Sequence, residues 1–238
     1  MPSDSSPFKL ARAVLFDHDG VLVASEPLHW QAWGELLKQL GIPYNEKEIR
    51  LRVGMTAPEI LKDLLDLYRP GWDIAQYDVH ALAQQKNNTY LALAKTGLKA
   101  YPGVRELLVW LRESGIRAAV VSNARRRELI AALKLLGLDT LLDLIVSRDE
   151  AGRSKPDPAG YLYAAAELGL EVSECIAVED SPTGIEAALV AKIPSVAVLT
   201  NFNETVMSKP VPGRPDLVPA WIVPSIQVLF DKMRAARN

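Results

Sequence analysis

Asp17 and Asp19 are the residues whose types and spacing most plainly admit chemistry. They close the stretch Ala13-Val14-Leu15-Phe16-Asp17-His18-Asp19-Gly20, where an apolar run suited to a buried strand ends in two carboxylates and a glycine. Alternation in an extended chain sends both acids towards one side. Such a pair repels itself unless a cation sits between the acids or one keeps a proton. Further polar groups follow other apolar runs: Ser122-Asn123, Lys155 in Gly152-Arg153-Ser154-Lys155-Pro156-Asp157-Pro158, and Glu179-Asp180 in Val178-Glu179-Asp180-Ser181-Pro182. Carboxylates, a hydroxyl with neighbouring amides and an ammonium suit the handling of a phosphoryl group. Carboxylate oxygens that leave room for water and a phosphate oxygen favour a hard octahedral ion, which means magnesium. The hydroxyl, loop amides and lysine can hold the remaining phosphate oxygens. Asp17 needs no base to activate it at neutral pH. As an anion attacking an anion it requires positive charge nearby, from the metal and Lys155. Asp19 is then placed to give a proton to the leaving oxygen and take one from water.

The elements that must position these groups are short apolar runs: Arg12 to Phe16, Ile116 to Val121, Asp143 to Val146, Cys175 to Val178 and Pro194 to Leu199. They are rich in Val, Ile, Leu and Ala without polar alternation, as in strands covered on both faces. Helical spacing fills the gaps, with Val104, Leu107, Leu108 and Leu111 on one face and Leu129, Ala132, Leu133 and Leu136 on another, stopped by Gly137. Pro158 opens a helix that ends at Gly169, and Pro182 opens the next. A last strand is expected near Trp221 to Val223, before a terminal helix. Repeated strand then helix predicts an α/β fold: a Rossmann-like three-layer core with a mainly parallel sheet. Ligands bind such sheets beyond the carboxyl ends of the strands. Residues 24–98 break the rhythm. Trp30, Trp33, Leu37 and Leu40 share one helical face, Ile60, Leu64, Leu67 and Tyr68 another, and a further helix spans about Val79 to Lys95. The expectation is a core of residues 1–23 and 99–238 with an inserted α-helical cap at 24–98. Linkers are expected at Val21 to Ser25 and Thr96 to Pro102, and a surface loop at Asn201 to Asp216.

In order and spacing, these segments resemble the four motifs of the haloacid dehalogenase superfamily, in the branch with a helical cap. Asp17-His18-Asp19-Gly20-Val21 is similar to the first motif and Val120-Val121-Ser122-Asn123-Ala124 to the second. Lys155 of Ser154-Lys155-Pro156-Asp157-Pro158 corresponds to the third, and Val178-Glu179-Asp180-Ser181-Pro182-Thr183-Gly184-Ile185-Glu186-Ala187-Ala188 to the fourth. The resemblance implies that Asp17 is the nucleophile forming an aspartyl-phosphate and Asp19 the general acid and base. It implies that Ser122 and Lys155 bind the phosphoryl group. Magnesium would be held by the side chains of Asp17 and Asp180 and the backbone carbonyl of Asp19, with Glu179 in or near the second shell. Gly20 and Asn123 join the substrate-binding set. His29, Arg52 and Gly54 join it from the cap, where histidine is frequent near the site mouth and the Arg50–Gly54 loop resembles the substrate-facing one. Members often carry Asp or Asn where this chain has Ala24, a hinge position outside the metal ligands.

Plainer roles compete for several of these residues. Ser122 suits a helix N-cap, Lys155 an exposed loop lysine, and Glu179-Asp180 the charge preference of a helix start. His29 fits a helix surface equally well, and Arg50 and Arg52 a solvated face. His18 fills space behind Asp17. Only their joint placement at strand ends argues for a site.

Composition narrows the partners. The chain has 238 residues, 49% hydrophobic and 24% charged, enough for one large domain or a core with a satellite. A net charge of -2 gives no case for nucleic acid or an anionic membrane. Cys175 stands alone, suited to a small core residue. No signal pattern or membrane-length apolar run is present, so the cytoplasm is the expected compartment. A monomer is expected, with a dimer as the alternative.

The expected activity is a magnesium-dependent phosphatase acting on a small phosphorylated metabolite of the sugar-phosphate type. A phosphomutase of the β-phosphoglucomutase kind is the alternative, and a non-catalytic binding protein on the same fold is the third reading. A true dehalogenase needs neither metal nor a second aspartate, so Asp19 and Glu179-Asp180 argue against it. A phosphonate hydrolase uses a cap lysine where this chain has Arg50 and Arg52, with Lys47 outside the matching position.

Overall fold

The apolar runs of the sequence become strands of one sheet. The computed structural model describes Phe8 and residues 10–52, 55–73 and 75–237. Within them β1 (Ala13–Phe16), β2 (Arg117–Val121), β3 (Leu144–Val146), β4 (Cys175–Glu179), β5 (Ser195–Val198) and β6 (Trp221–Val223) align in the order β3-β2-β1-β4-β5-β6. Every pairing is parallel. β1, β4 and β5 are buried at every residue, which explains why they lack polar alternation. Ala13 and Leu15 pack with Tyr161 and Ala164 of α8 (Ala159–Glu167) and with Ala187 and Ala188 of α9 (Pro182–Val190). Val14 and Phe16 point to the opposite face. There α5 (Val104–Glu113) lies beside β2 and α11 (Ile226–Arg237) beside β6. Cys175 is a core residue whose thiol burial pushes up to about 11.

The order of the strands creates the place for a site. From β1 the chain moves to β2 and β3 on one side, then returns to add β4 on the other side of β1. The carboxyl ends of β1 and β4 are therefore neighbours at a switch in direction, where open α/β sheets form crevices. Asp17 N donates to Val178 O at 2.9 Å, tying the two ends together.

The chain divides into two compact units, Met1–Ala24 with Ala100–Asn238, and Ser25–Lys99. The second unit contains α1 (Glu26–Gln39), α2 (Glu46–Arg50), α3 (Ala57–Tyr68) and α4 (Val79–Gly97), with no strand among its described residues. Its core gathers Trp33, Leu36, Leu37, Ile49, Ile60, Leu61, Leu64 and Leu65. Thr56 donates its backbone N and its hydroxyl to Glu59 Oε2 at the start of α3, and Asp78 accepts from His80 N and Ala81 N at the start of α4.

Two expectations need correction. Leu67 is 55% exposed; the buried stripe of α3 runs through Ile60, Leu61, Leu64 and Leu65, one residue round the helix. The unit boundaries, Ala24 to Ser25 and Lys99 to Ala100, fall within the expected linkers, which are ordered: Val21, Leu22 and Val23 are fully buried, and α4 continues to Gly97. The stretch Asn201 to Asp216 is more than a surface loop, because α10 (Glu204–Met207) interrupts it and Met207 and Val211 enter a small apolar cluster.

Candidate active site

The ends of β1, β2 and β4 and the segment after β3 deliver polar groups to the same end of the sheet. After Phe16 the chain leaves the strand for a tight turn, with Leu22 N and Val23 N both donating to His18 O at 3.0 Å. Asp17 is held at the strand end. The loop after β3 returns Lys155, whose backbone N donates to Asn123 Oδ1 at 2.8 Å, locking it against the end of β2. Its Nζ donates to Asp17 Oδ1 at 2.5 Å, Glu179 Oε1 at 2.6 Å and Val121 O at 2.7 Å. One ammonium thus bridges β1, β2 and β4. Glu179 is fully buried and Asp180 is 1% exposed.

The site carries more negative charge than its lysine balances. Asp17, Glu179 and Asp180 each offer an oxygen, and these lie within 4.8 Å of one another. Burial, with the charges of Glu179 and Asp19, outweighs the Lys155 ammonium and pushes the Asp17 carboxyl up from 3.8 to about 7. Burial works against the Lys155 ammonium, but Asp17 and Glu179 prevail and raise it above its usual range. Oxygen-only donors with uncompensated charge fit a hard divalent cation.

Close packing enforces the geometry. A Cβ at Gly20, where φ is +78°, would stand 1.8 Å from Asp180 Oδ2. A Cβ at Gly184 would stand 1.9 Å from Glu179 Oε2. Ser181 caps α9 by accepting from Gly184 N at 3.1 Å, so the helix start is shaped around the Glu179 carboxylate.

Asp17, Lys155, Glu179 and Asp180 are brought together, with Ser122 and Asn123 on the adjoining strand end. Ser122 does not cap the following helix, α6 (Arg126–Leu135), whose N-cap is Arg125; its Oγ accepts from Ala124 N at 3.1 Å within the loop. The Asp19 side chain lies outside the carboxylate cluster, 36% exposed, with Oδ1 3.1 Å from His18 Nδ1. His18 therefore touches the proposed proton carrier as well as filling space.

The expected contacts of the second unit have partners within it. Arg52 pairs with Asp63 at 3.3 Å and donates to Glu48 O at 2.8 Å. Arg50 stacks over Trp30 and pairs with Glu46. His29 lies 3.9 Å from the Tyr90 ring in a stacked pair, and its Nδ1 is 2.6 Å from the buried Lys86 Nζ. An ammonium only donates, so Nδ1 is the acceptor of that contact. Gly54 lies outside the described residues.

Two contributors were not read from the sequence. Tyr161, fully buried, donates its hydroxyl to Glu179 Oε1 at 2.6 Å; burial and the Glu179 charge raise its phenol well above the usual value. Asn201 donates Nδ2 to Asp180 Oδ2 at 2.5 Å. Neither carries a local signal, since one reads as a helix aromatic and the other as a loop amide.

Comparison with known proteins agrees with this geometry. Residues 11–192 match the model of the haloacid dehalogenase-like hydrolases. A validoxylamine A 7'-phosphate phosphatase of Streptomyces hygroscopicus subsp. limoneus is 31% identical over 201 residues, 83% of this chain and 90% of its own length. A phosphorylated carbohydrates phosphatase of Thermotoga maritima is 32% identical over 195 residues, 81% of this chain and 87% of its own. Among solved structures, a β-phosphoglucomutase of Clostridium difficile superposes with a TM-score of 0.78 at 25% identity, covering 96% of this chain and 97% of that one. The chain belongs to the haloacid dehalogenase-like hydrolase family. Within it, the chain sits in the phosphatase and β-phosphoglucomutase-like branch that carries a helical insert, as an enzyme of the phosphoric monoester hydrolase class. No helix among the described residues is long and apolar enough to cross a membrane.

Proposed function

We propose that this chain is a magnesium-dependent phosphatase that hydrolyses a small sugar-phosphate-type metabolite through an aspartyl-phosphate on Asp17. The observation that carries this reading is the Lys155–Asp17 contact of 2.5 Å beside the buried Glu179 and Asp180. The names of the phosphatases from Streptomyces and Thermotoga, one for a 7'-phosphate and one for phosphorylated carbohydrates, support the substrate class.

Asp17 attacks phosphorus with a carboxylate oxygen, and the ester P–O bond breaks as Asp19 gives its proton to the leaving oxygen. Water then attacks the same phosphorus, Asp19 takes the proton, and the acyl P–O bond breaks to release phosphate and restore Asp17. Ser122, Asn123 and Lys155 hold the phosphoryl oxygens, and Lys155 offsets their charge; Gly20, whose N donates to Val23 O at 3.0 Å, leaves the close space beside Asp180. Asp17, Asp180 and the Asp19 carbonyl are the proposed magnesium ligands, with Glu179 behind them keeping Lys155 in place. The bound ion supplies positive charge that favours ionised Asp17 and lets one anion approach another.

His29 and Arg52 stay proposed as substrate contacts, with insert residues 25–99 as the cap. Arg52 is paired with Asp63 within the insert; the support for hydrolysis over phosphoryl return is the phosphatase names of the two relatives. A phosphometabolite panel that includes glucose 1-phosphate with a trace of its bisphosphate tests this. Free phosphate is expected. Glucose 6-phosphate accumulating without phosphate release would make the chain a mutase.

A further inference from the structure

We propose that Asn201 is a positioning residue for Asp180, setting how tightly the site takes a divalent cation. This rests on the magnesium reading above. Asn201 lies in the loop that leaves β5, outside every segment that resembles a family motif. Its Nδ2 stands 2.5 Å from Asp180 Oδ2. A carboxylate only accepts, so the amide nitrogen must be the atom that faces it.

The same oxygen faces the α-carbon of Gly20, where a Cβ would come within 1.8 Å of Oδ2 and 2.8 Å of Asn201 Nδ2. The ends of β1, β4 and β5 thus converge on one carboxylate oxygen that is almost fully buried. This holds Asp180 in the orientation that brings an oxygen within 4.8 Å of those of Asp17 and Glu179.

The chemistry of the donor matters as much as its place. Lys155 gives a full positive charge to Asp17 and Glu179. Asn201 gives Asp180 a neutral hydrogen bond, which fixes the carboxylate without cancelling its charge. Asp180 is therefore pre-aligned by a donor that brings no charge of its own. Removing such an outer hydrogen bond typically weakens metal binding by about 10–100-fold.

The test is calorimetric titration of magnesium into metal-free wild type, Asn201→Ala and Asn201→Leu, with turnover followed against magnesium concentration. Leucine keeps the side-chain volume and guards against a packing defect in the alanine variant. Expected is a rise in the magnesium Kd of about tenfold or more in both, a matching rise in the half-activating concentration, and kcat at saturating magnesium within about threefold of wild type. A magnesium Kd within about twofold of wild type in either folded variant overturns the proposal alone, because wild-type binding leaves the metal reading intact. Wild type that binds no magnesium overturns both.

Discussion

Gly20→Ala is expected to abolish turnover for a reason separable from general destabilisation. An alanine at φ +78° pays the left-handed penalty of about 1–2 kcal/mol. For a chain of this size that lowers Tm by about 2–8 °C. The larger effect is local, because the new methyl would lie 1.8 Å from Asp180 Oδ2 and 2.5 Å from its carboxyl carbon. Restoring an ordinary contact of 3.4 Å moves that oxygen by about 1.6 Å, and a misplacement of about 1 Å can already cost about a hundredfold in rate. The control is Gly169→Ala, where φ is +63° and nothing lies within 4 Å of the added Cβ. It carries the backbone strain without the clash. Initial rates at saturating magnesium with thermal melts on both variants make the assay. The expectation is a larger loss of Tm in Gly20→Ala than in Gly169→Ala, with both folded at the assay temperature, a fall in kcat/KM of about a hundredfold or more in Gly20→Ala, and a rate within about twofold of wild type in Gly169→Ala. Gly20→Ala retaining kcat/KM within about fivefold of wild type would refute the claim that Asp180 must lie where Gly20 lets it.

Proton linkage at Asp17 gives a second expectation. Its carboxyl is raised from 3.8 to about 7 in the metal-free fold, so the folded chain binds more protons than the unfolded chain in between. The stability this contributes is full below about 3.8 and is lost as pH rises through about 7. Melts of chelated protein from about pH 5 to about pH 7.5 should show Tm falling, and Asp17→Asn should flatten the slope; equal slopes in the two would contradict this. Tyr161→Phe keeps the ring and removes the donor to buried Glu179, a charge-assisted bond worth about 1.5–3 kcal/mol. Its melt should come about 3–12 °C below wild type, and a loss under about 1 °C would deny the hydroxyl that role. Asp17→Asn itself should fold as wild type does and lose turnover, and activity within about tenfold of wild type would exclude Asp17 as the nucleophile.

The sequence carried the sheet because full burial on both faces demands unbroken apolar runs, and those runs are visible. It also carried the chemistry-bearing strand ends, since polar residues directly after such runs have few structural reasons to be there. What it hid depends on neighbours distant in the chain. Asn201 meets Asp180 across 21 positions, and no local pattern announces an amide that serves another strand. Tyr161 sits on an apolar helix face, where its ring explains it and its hydroxyl goes unnoticed. The density of proline and glycine after Asn201 marks turns correctly, yet composition does not say that Met207 and Val211 are covered. Leu67 fits the period of α3 as well as its neighbours do; only the packing of the insert core decides which flank is buried. Ser122 follows a strand and precedes a helix, but the helix starts three residues later than a cap would need.

Chemical trapping at residue 17 addresses the covalent step itself. Enzyme quenched during turnover and treated with borohydride would have any acyl-phosphate reduced to an alcohol, which peptide mass spectrometry can locate. The reduced residue is expected at Asp17, dependent on substrate and missing from Asp17→Asn. Rapid phosphate release with an unmodified Asp17 peptide, or with the reduced group on another carboxylate, would contradict the account.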